Sequence, residues 1–282
     1  MKTRWLLTSL LVCSQLVAFP QRFSLKGKLV AHDTDTKVAL MKLNHLDLFF
    51  SGSNLSVVDT ATIDRNGVFE FINPAIIENN TFYRLNVATG DQSPGGICMV
   101  GTNENFAFFL LNKHTQIEFT TSPDHVSQKL IITKGDKAAY LINRLSTTRK
   151  RYNEVVDEHV KRRKALDKSL PSYADSVKSI NAHMKEGATA TNYYEDMMHF
   201  ADTVSNPYIS LLATQYLPDD LPHSFFVKMN ERYKKEIPGS KYTEQFTAQV
   251  TGGNTFLKEG SKAPEITLPD TKGQIIKLSG LK

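Results

Sequence analysis

Two cysteines, eight histidines and a set of aspartates are the side chains in this sequence that could do chemistry. Cys98 lies in Ser93-Pro-Gly-Gly-Ile-Cys-Met-Val100, and no His, Lys or Arg stands within five residues of it to lower a thiol pKa. Two readings follow. Cys98 is a small apolar residue in a strand, as Ile97, Met99 and Val100 around it favour, or it is a lone redox thiol that peroxide would carry to a sulfenic acid, as in a one-cysteine peroxidase. Asp33, Asp35, Asp47, Asp59 and Asp64 could make a calcium or acid–base site, but they fall at turns, where an aspartate bonds its own backbone. Glu195, Asp196 and His199 come nearest to a cluster, because Glu195 and His199 share a helix face, and a surface ion pair accounts for them.

The remaining histidines, His32, His45, His114, His125, His159, His183 and His223, show no metal-ligand spacing. A Gly-rich phosphate loop, a Gly-x-Ser-x-Gly elbow and a Cys-x-x-Cys are all missing from the sequence. No residue is therefore assigned a catalytic, cofactor-binding or metal-binding role, and no cofactor is expected.

The elements that would position these groups divide by periodicity. Alternating or β-branched runs predict strands at Phe23–Val30, Lys37–Leu43, Leu55–Ile63, Gly67–Ile72, Phe82–Val87, Phe106–Leu111 and Thr115–Thr120. The clearest hairpin is Ala61–Phe71, turned by Asn66-Gly67. Short strands at such close spacing suggest a small antiparallel sandwich or barrel. Phe49, Phe50, Phe69, Phe71, Phe106, Phe108 and Phe109 could line a carbohydrate platform, but their alternation points them into a core.

From Asp136 the period becomes helical. Leu141, Leu145, Thr148, Tyr152, Val155 and His159 form one seam of a long helix that should end before Pro171. Arg149-Lys-Arg151 and Lys161-Arg-Arg-Lys164 are read as its solvated faces, with Glu154, Asp157 and Glu158 between them, and not as a nucleic-acid patch. Further helices are predicted at Ser172–Lys185, Tyr193–Val204, from Asn206-Pro207 with Pro in the first turn, at Pro222–Lys235 and at Tyr242–Val250. Thr251-Gly-Gly-Asn254 reads as a linker.

At the amino end, Met1-Lys-Thr-Arg4 precedes an apolar run from Trp5 to Phe19, too short for a bilayer span and suited to a secretory signal peptide over 1–20. Val12 before Cys13 is a poor lipoprotein box, which argues against lipid anchoring there. Losing Lys2 and Arg4 lowers the formal net charge from +5 to +3, which demands no anionic partner. An exported chain without a membrane span is expected, located in the periplasm or cell envelope.

The last stretch carries the most specific pattern. Ala263-Pro264 forces extended backbone, Ile266 and Leu268 alternate, Pro269 to Gly273 supply a turn, and Ile275 to Leu278 make a second strand. The order Gly260-x-x-Ala-Pro-x-x-x-Leu268-x-Asp270-x-x-Gly273-x-x-x-x-Leu278-Ser-x-Leu-Lys282 resembles the start of the thioredoxin-like domain in exported thiol–disulfide oxidoreductases of the AhpC/TSA and TlpA/ResA type. Phe23-x-Leu-x-Gly27, the Asn66-Gly-Val-Phe-x-Phe71 turn and the strand pair around Phe108 and Ile117 resemble the N-terminal domain of unknown function that precedes it in such proteins, and Asn206-Pro207 resembles their inter-domain helical region.

The resemblance implies an α+β protein with a β-sandwich-like domain over 21–128, a helical region over 129–255 and, at 256–282, only the opening hairpin of a thioredoxin-like domain. The reactive Cys-x-x-Cys of the family would follow such a hairpin, and the sequence stops at Lys282 before one. The implied function is the non-catalytic portion of an oxidoreductase that reduces or isomerises disulfides of envelope proteins, its partners being those substrates or a second copy of itself. The alternative is an envelope binding or adhesion module without redox activity.

Overall fold

The computed structural model describes residues 22–51, 57–93, 95–96, 99–100, 103–167, 187, 190–252, 267–269 and 275–277. They form a mixed α+β structure with two four-stranded sheets and five helices. The first sheet has the order β10 (Ile131–Lys134), β9 (Gln116–Thr121), β1 (Ser24–Leu29), β4 (Val68–Phe71). The second has the order β3 (Val57–Ala61), β2 (Lys37–Lys42), β5 (Thr81–Ala88), β8 (Phe106–Leu111). Two short strands, β6 (Met99–Val100) and β7 (Asn103–Glu104), pair with each other between β5 and β8.

Strand composition follows layer position. In the first sheet β1 and β9 alternate buried and more open residues, as strands with one wet face do. In the second sheet every residue of β5 and β8 is buried. Both faces of that sheet are covered: Phe109 reaches Phe119 of the first sheet with ring centroids 5.1 Å apart, while Phe82 and Phe108 meet Tyr242 and Tyr216 from the helical side. Phe49, Phe69, Phe71, Phe106, Phe108 and Phe109 are buried in this core and Phe50 packs against it, so these rings build the interior. Each such burial contributes about 2 kcal/mol.

Three details differ from the sequence expectation. The sheets are not wholly antiparallel: β1 runs parallel to β9, in register from Ser24↔Gln116 to Leu29↔Thr121, with the strands of the second sheet and β4 lying between them in the chain. The Asn66-Gly67 turn forms, with Gly67 at φ 80° and Asp64 Oδ1 accepting the Asn66 and Val68 amides, but it is a corner and not a hairpin. β3 before it pairs with β2, and β4 after it pairs with β1 in the other sheet. Finally, the sheet runs on past residue 128 into β10, whose Ile132 N–H is taken at 2.8 Å by the side chain of Asn143.

Gly27 explains itself in this sheet. A Cβ there would stand 2.2 Å from one ring carbon of Phe69 and 2.7 Å from Phe119, so the two rings close over a backbone without a side chain.

The helices are α1 (Lys137–Asp167), α2 (190–203), α3 (Pro207–Thr214), α4 (His223–Glu236) and α5 (Lys241–Gly252). α1 starts where Asp136 Oδ1 accepts the Ala139 amide. Its buried stripe is Ala139, Ile142, Leu145 and Arg149, turned about the helix relative to the predicted seam, and Val155 is exposed. α3 starts as its sequence predicts, with Asn206 Oδ1 accepting the Tyr208 and Ile209 amides and Pro207 in the first turn. The carbonyls at the end of α2 are capped from another helix: Arg232 of α4 donates to Ala201, Asp202 and Val204 oxygens at 2.7–2.9 Å.

α5 docks on the second sheet by hydrogen bonds to its backbone. Tyr242 donates to the Leu43 oxygen at 2.6 Å and accepts the Phe82 amide at 2.9 Å, bridging the ends of β2 and β5. Gln245 accepts the Leu46 amide and donates to the Asn44 oxygen, both at 2.9 Å. α5 runs on through Thr251 and Gly252, the first half of the predicted linker, while the predicted helix at Ser172–Lys185, the side chain of His159 and residues 253–254 lie outside the described residues. β11 (Thr267–Pro269) and β12 (Ile275–Lys277) pair antiparallel with each other, Leu268 opposite Ile276.

Candidate functional site

The most concentrated chemistry in the described residues surrounds Arg149. The sequence places it in a basic run on a solvated helix face; the structure buries it, and leaves Arg151 exposed. From the middle of α1 its Nη1 donates to Glu104 Oε2 at 2.9 Å, and its Nη2 donates to Glu104 Oε1, a two-pronged pair. Ser127 Oγ donates to the same Glu104 Oε2, and the Val126 amide donates to the Glu104 main-chain oxygen at 2.8 Å. On its other side the guanidinium stacks 3.7 Å from the ring centre of Tyr216, and Tyr152 and Tyr193 stack on each other at 3.9 Å nearby. Arg149 Nε has no hydrogen-bond partner in this setting.

The electrostatics lock the pair. Burial opposes the charge on Arg149, but the Glu104 carboxylate, by its charge and its hydrogen bonds, outweighs it and holds the guanidinium above its usual pKa. Burial pushes the Tyr216 and Tyr193 phenols up, so both stay neutral. The arrangement joins β7, the loop carrying Ser127, α1, α2 and Tyr216, two residues past the end of α3. It cannot turn over a substrate: both Glu104 oxygens are engaged and every member of the ion pair is buried. Sequence patterns miss it because Glu104 and Arg149 lie 45 residues apart and neither has a distinctive neighbour.

A second buried cation, Arg84 in the middle of β5, meets no carboxylate in the hydrogen bonds it makes. It donates to the Phe49, Ser51 and Gly95 oxygens and to Asn86 Oδ1, at 2.9–3.4 Å. Desolvation brings its pKa down to about 10, so it remains charged at neutral pH. Its work is to satisfy carbonyls of the loops that follow β2 and β5.

The residues singled out in the sequence do not assemble. Cys13 and Cys98 lie outside the described residues. Asp64 and Asp59 bond neighbouring amides, and the Asp64 carboxyl is held below its usual pKa by the Val68 amide first of all. Glu195, Asp196 and His199 are exposed on α2, and no ion pair joins Glu195 to His199 among the described residues, so the expected bridge is not formed. Lys228 takes the nearby acid Asp202 instead. His125 Nδ1 is buried without a partner, its other nitrogen 3.6 Å from Asp124. Among the described residues no three His, Cys, Asp or Glu side chains come together to hold a metal ion, and no described helix is long and apolar enough to cross a membrane.

The helical layer holds a cleft of about 310 Å³ between the ends of α3, α4 and α5. Leu217, Phe226 and Phe246 form its apolar wall, and Asp219, His223 and Gln249 bring polar groups to it.

The chain matches no protein-family model, no curated protein and no solved structure.

Proposed function

We propose that these residues are the non-catalytic, positioning portion of an exported thioredoxin-like thiol–disulfide oxidoreductase. The observation that carries this reading is the β11–β12 pair, Thr267↔Lys277 to Pro269↔Ile275, which lies in the stretch that resembles the opening of such a domain and comes after two sheets and a helical layer in the expected order. The finer architecture belongs to the same proposal: a β-sandwich-like unit, a helical segment, and the first hairpin of a redox domain. A rigid seat for that hairpin is consistent with α5 being fixed to the second sheet through Tyr242 and Gln245.

Positioning is the role proposed because dithiol exchange needs an attacking thiolate and a resolving thiol, and the sequence has Cys13, Cys98 and no Cys-x-x-Cys. Export rests on the basic start and apolar run of residues 1–20. The adhesion alternative would draw support from an exposed aromatic strip, whereas the candidate phenylalanines are core residues.

The test is to sequence the gene beyond the codon for Lys282 and to measure the intact mass of the native protein. An open frame leading into a Trp-Cys-x-x-Cys segment, with a mass to match, supports the reading. A stop codon directly after Lys282, with a mass to match, overturns it.

A further inference from the structure

The cleft between α3, α4 and α5 has a composition that selects for charge. Its apolar wall includes the half-buried ring of Phe226 and the buried ring of Phe246, and aromatic faces attract cations. Among the described residues the carboxylate of Asp219 and the imidazole of His223 are its titratable lining groups, and no Lys or Arg lines it. The last turn of α5, at Gln249 and Val250, also lines it and presents a negative carboxyl end there, while the end of α3 at Thr214 lines it with its last carbonyls already taken by the Gln215, Tyr216 and Leu217 amides. The amino end of α4, at His223, opposes it. At about 310 Å³ the space suits a small molecule rather than a macromolecular surface.

We infer that this cleft is a binding site for a small organic cation: an ammonium group on an aryl or alkyl body, the charge against Asp219 and the body between Phe226 and Phe246. The site is independent of the oxidoreductase reading, since it uses no thiol.

Three probes of equal shape and different charge test it on the full chain: 2-phenylethylamine, 2-phenylethanol and phenylacetate, titrated by NMR while following the side-chain amides of Gln215 and Gln249. The amine should bind about tenfold more tightly than phenylacetate, the sum of a modest cation–π gain and an exposed ion pair. Asp219→Asn, at an exposed position, should weaken the amine about threefold and leave the alcohol unchanged. Phe226→Leu should weaken both. Equal affinity for all three probes, tighter binding of phenylacetate, an amine insensitive to Asp219→Asn, or binding that leaves the two glutamine amides unmoved would each overturn the assignment.

Discussion

Glu104 and Arg149 face each other as a buried two-pronged pair, with Arg149 Nη1 2.9 Å from Glu104 Oε2, and they join the short β7 strand to the middle of α1. Removing one member leaves the other charge buried without its partner. Arg149→Met should therefore lower unfolding free energy by about 3–5 kcal/mol, and Glu104→Gln in the same background should restore a large part of that loss. Urea denaturation of the two single variants and the double variant checks this. Additive losses would mean that the pair is not coupled.

Tyr242 ties α5 to the second sheet through one hydroxyl that donates to Leu43 and accepts from Phe82. Tyr242→Phe keeps the ring packing against Phe49 and Phe82 but orphans a buried amide and a buried carbonyl. The expected cost is about 1–3 kcal/mol. Hydrogen exchange should quicken at the Phe82 amide, while the far edge of the first sheet keeps its protection.

Gly27→Ala should destabilise by about 1–3 kcal/mol, because its methyl group would enter the rings of Phe69 and Phe119. Shrinking one ring makes room. Phe69→Leu combined with Gly27→Ala should cost less than the sum of the two single changes, measured by thermal unfolding.

Alkaline pH should unfold the chain through its tyrosines. Burial raises the pKa of Tyr216, Tyr233 and Tyr242 above the unfolded value of about 10. Their contribution is thus complete below about pH 10 and is lost as pH rises toward their folded values. Arg84 and Lys241, whose pKa values burial depresses, act in the opposite sense, and Tyr83, Tyr193 and Arg149, also raised, act with the three tyrosines. Absorbance at 295 nm should show an early phase from exposed phenols and a late one that coincides with loss of circular dichroism. A single smooth titration complete before any unfolding would contradict this.

What the sequence made legible was local. Asn206-Pro207 predicts the start of α3 because both signals act within one turn of helix, and Lys37–Lys42 and Phe106–Leu111 declare themselves by strand-forming composition. The rest depended on partners distant along the chain. Arg149 reads as solvated until Glu104 is beside it, and the seam of α1 rotates to suit. The Asn66-Gly67 turn announces a reversal but not that the strands on its two sides enter different sheets. β10 is four residues long with one buried side chain, too little periodicity to mark it before its pairing with β9 is known. The α3–α4–α5 cleft is likewise made by helix ends that no motif connects.

Asn143 of α1 occupies the outward Ile132 amide of β10, the outermost strand of the first sheet. An uncovered strand rim is a template on which another chain can add itself. Here the cover is a side chain of the segment synthesised next, so the rim stays open during folding until the first turns of α1 have wound. Refolding yield should fall as protein concentration rises, more steeply for Asn143→Ala than for the parent, with the lost material recovered as β-rich aggregate.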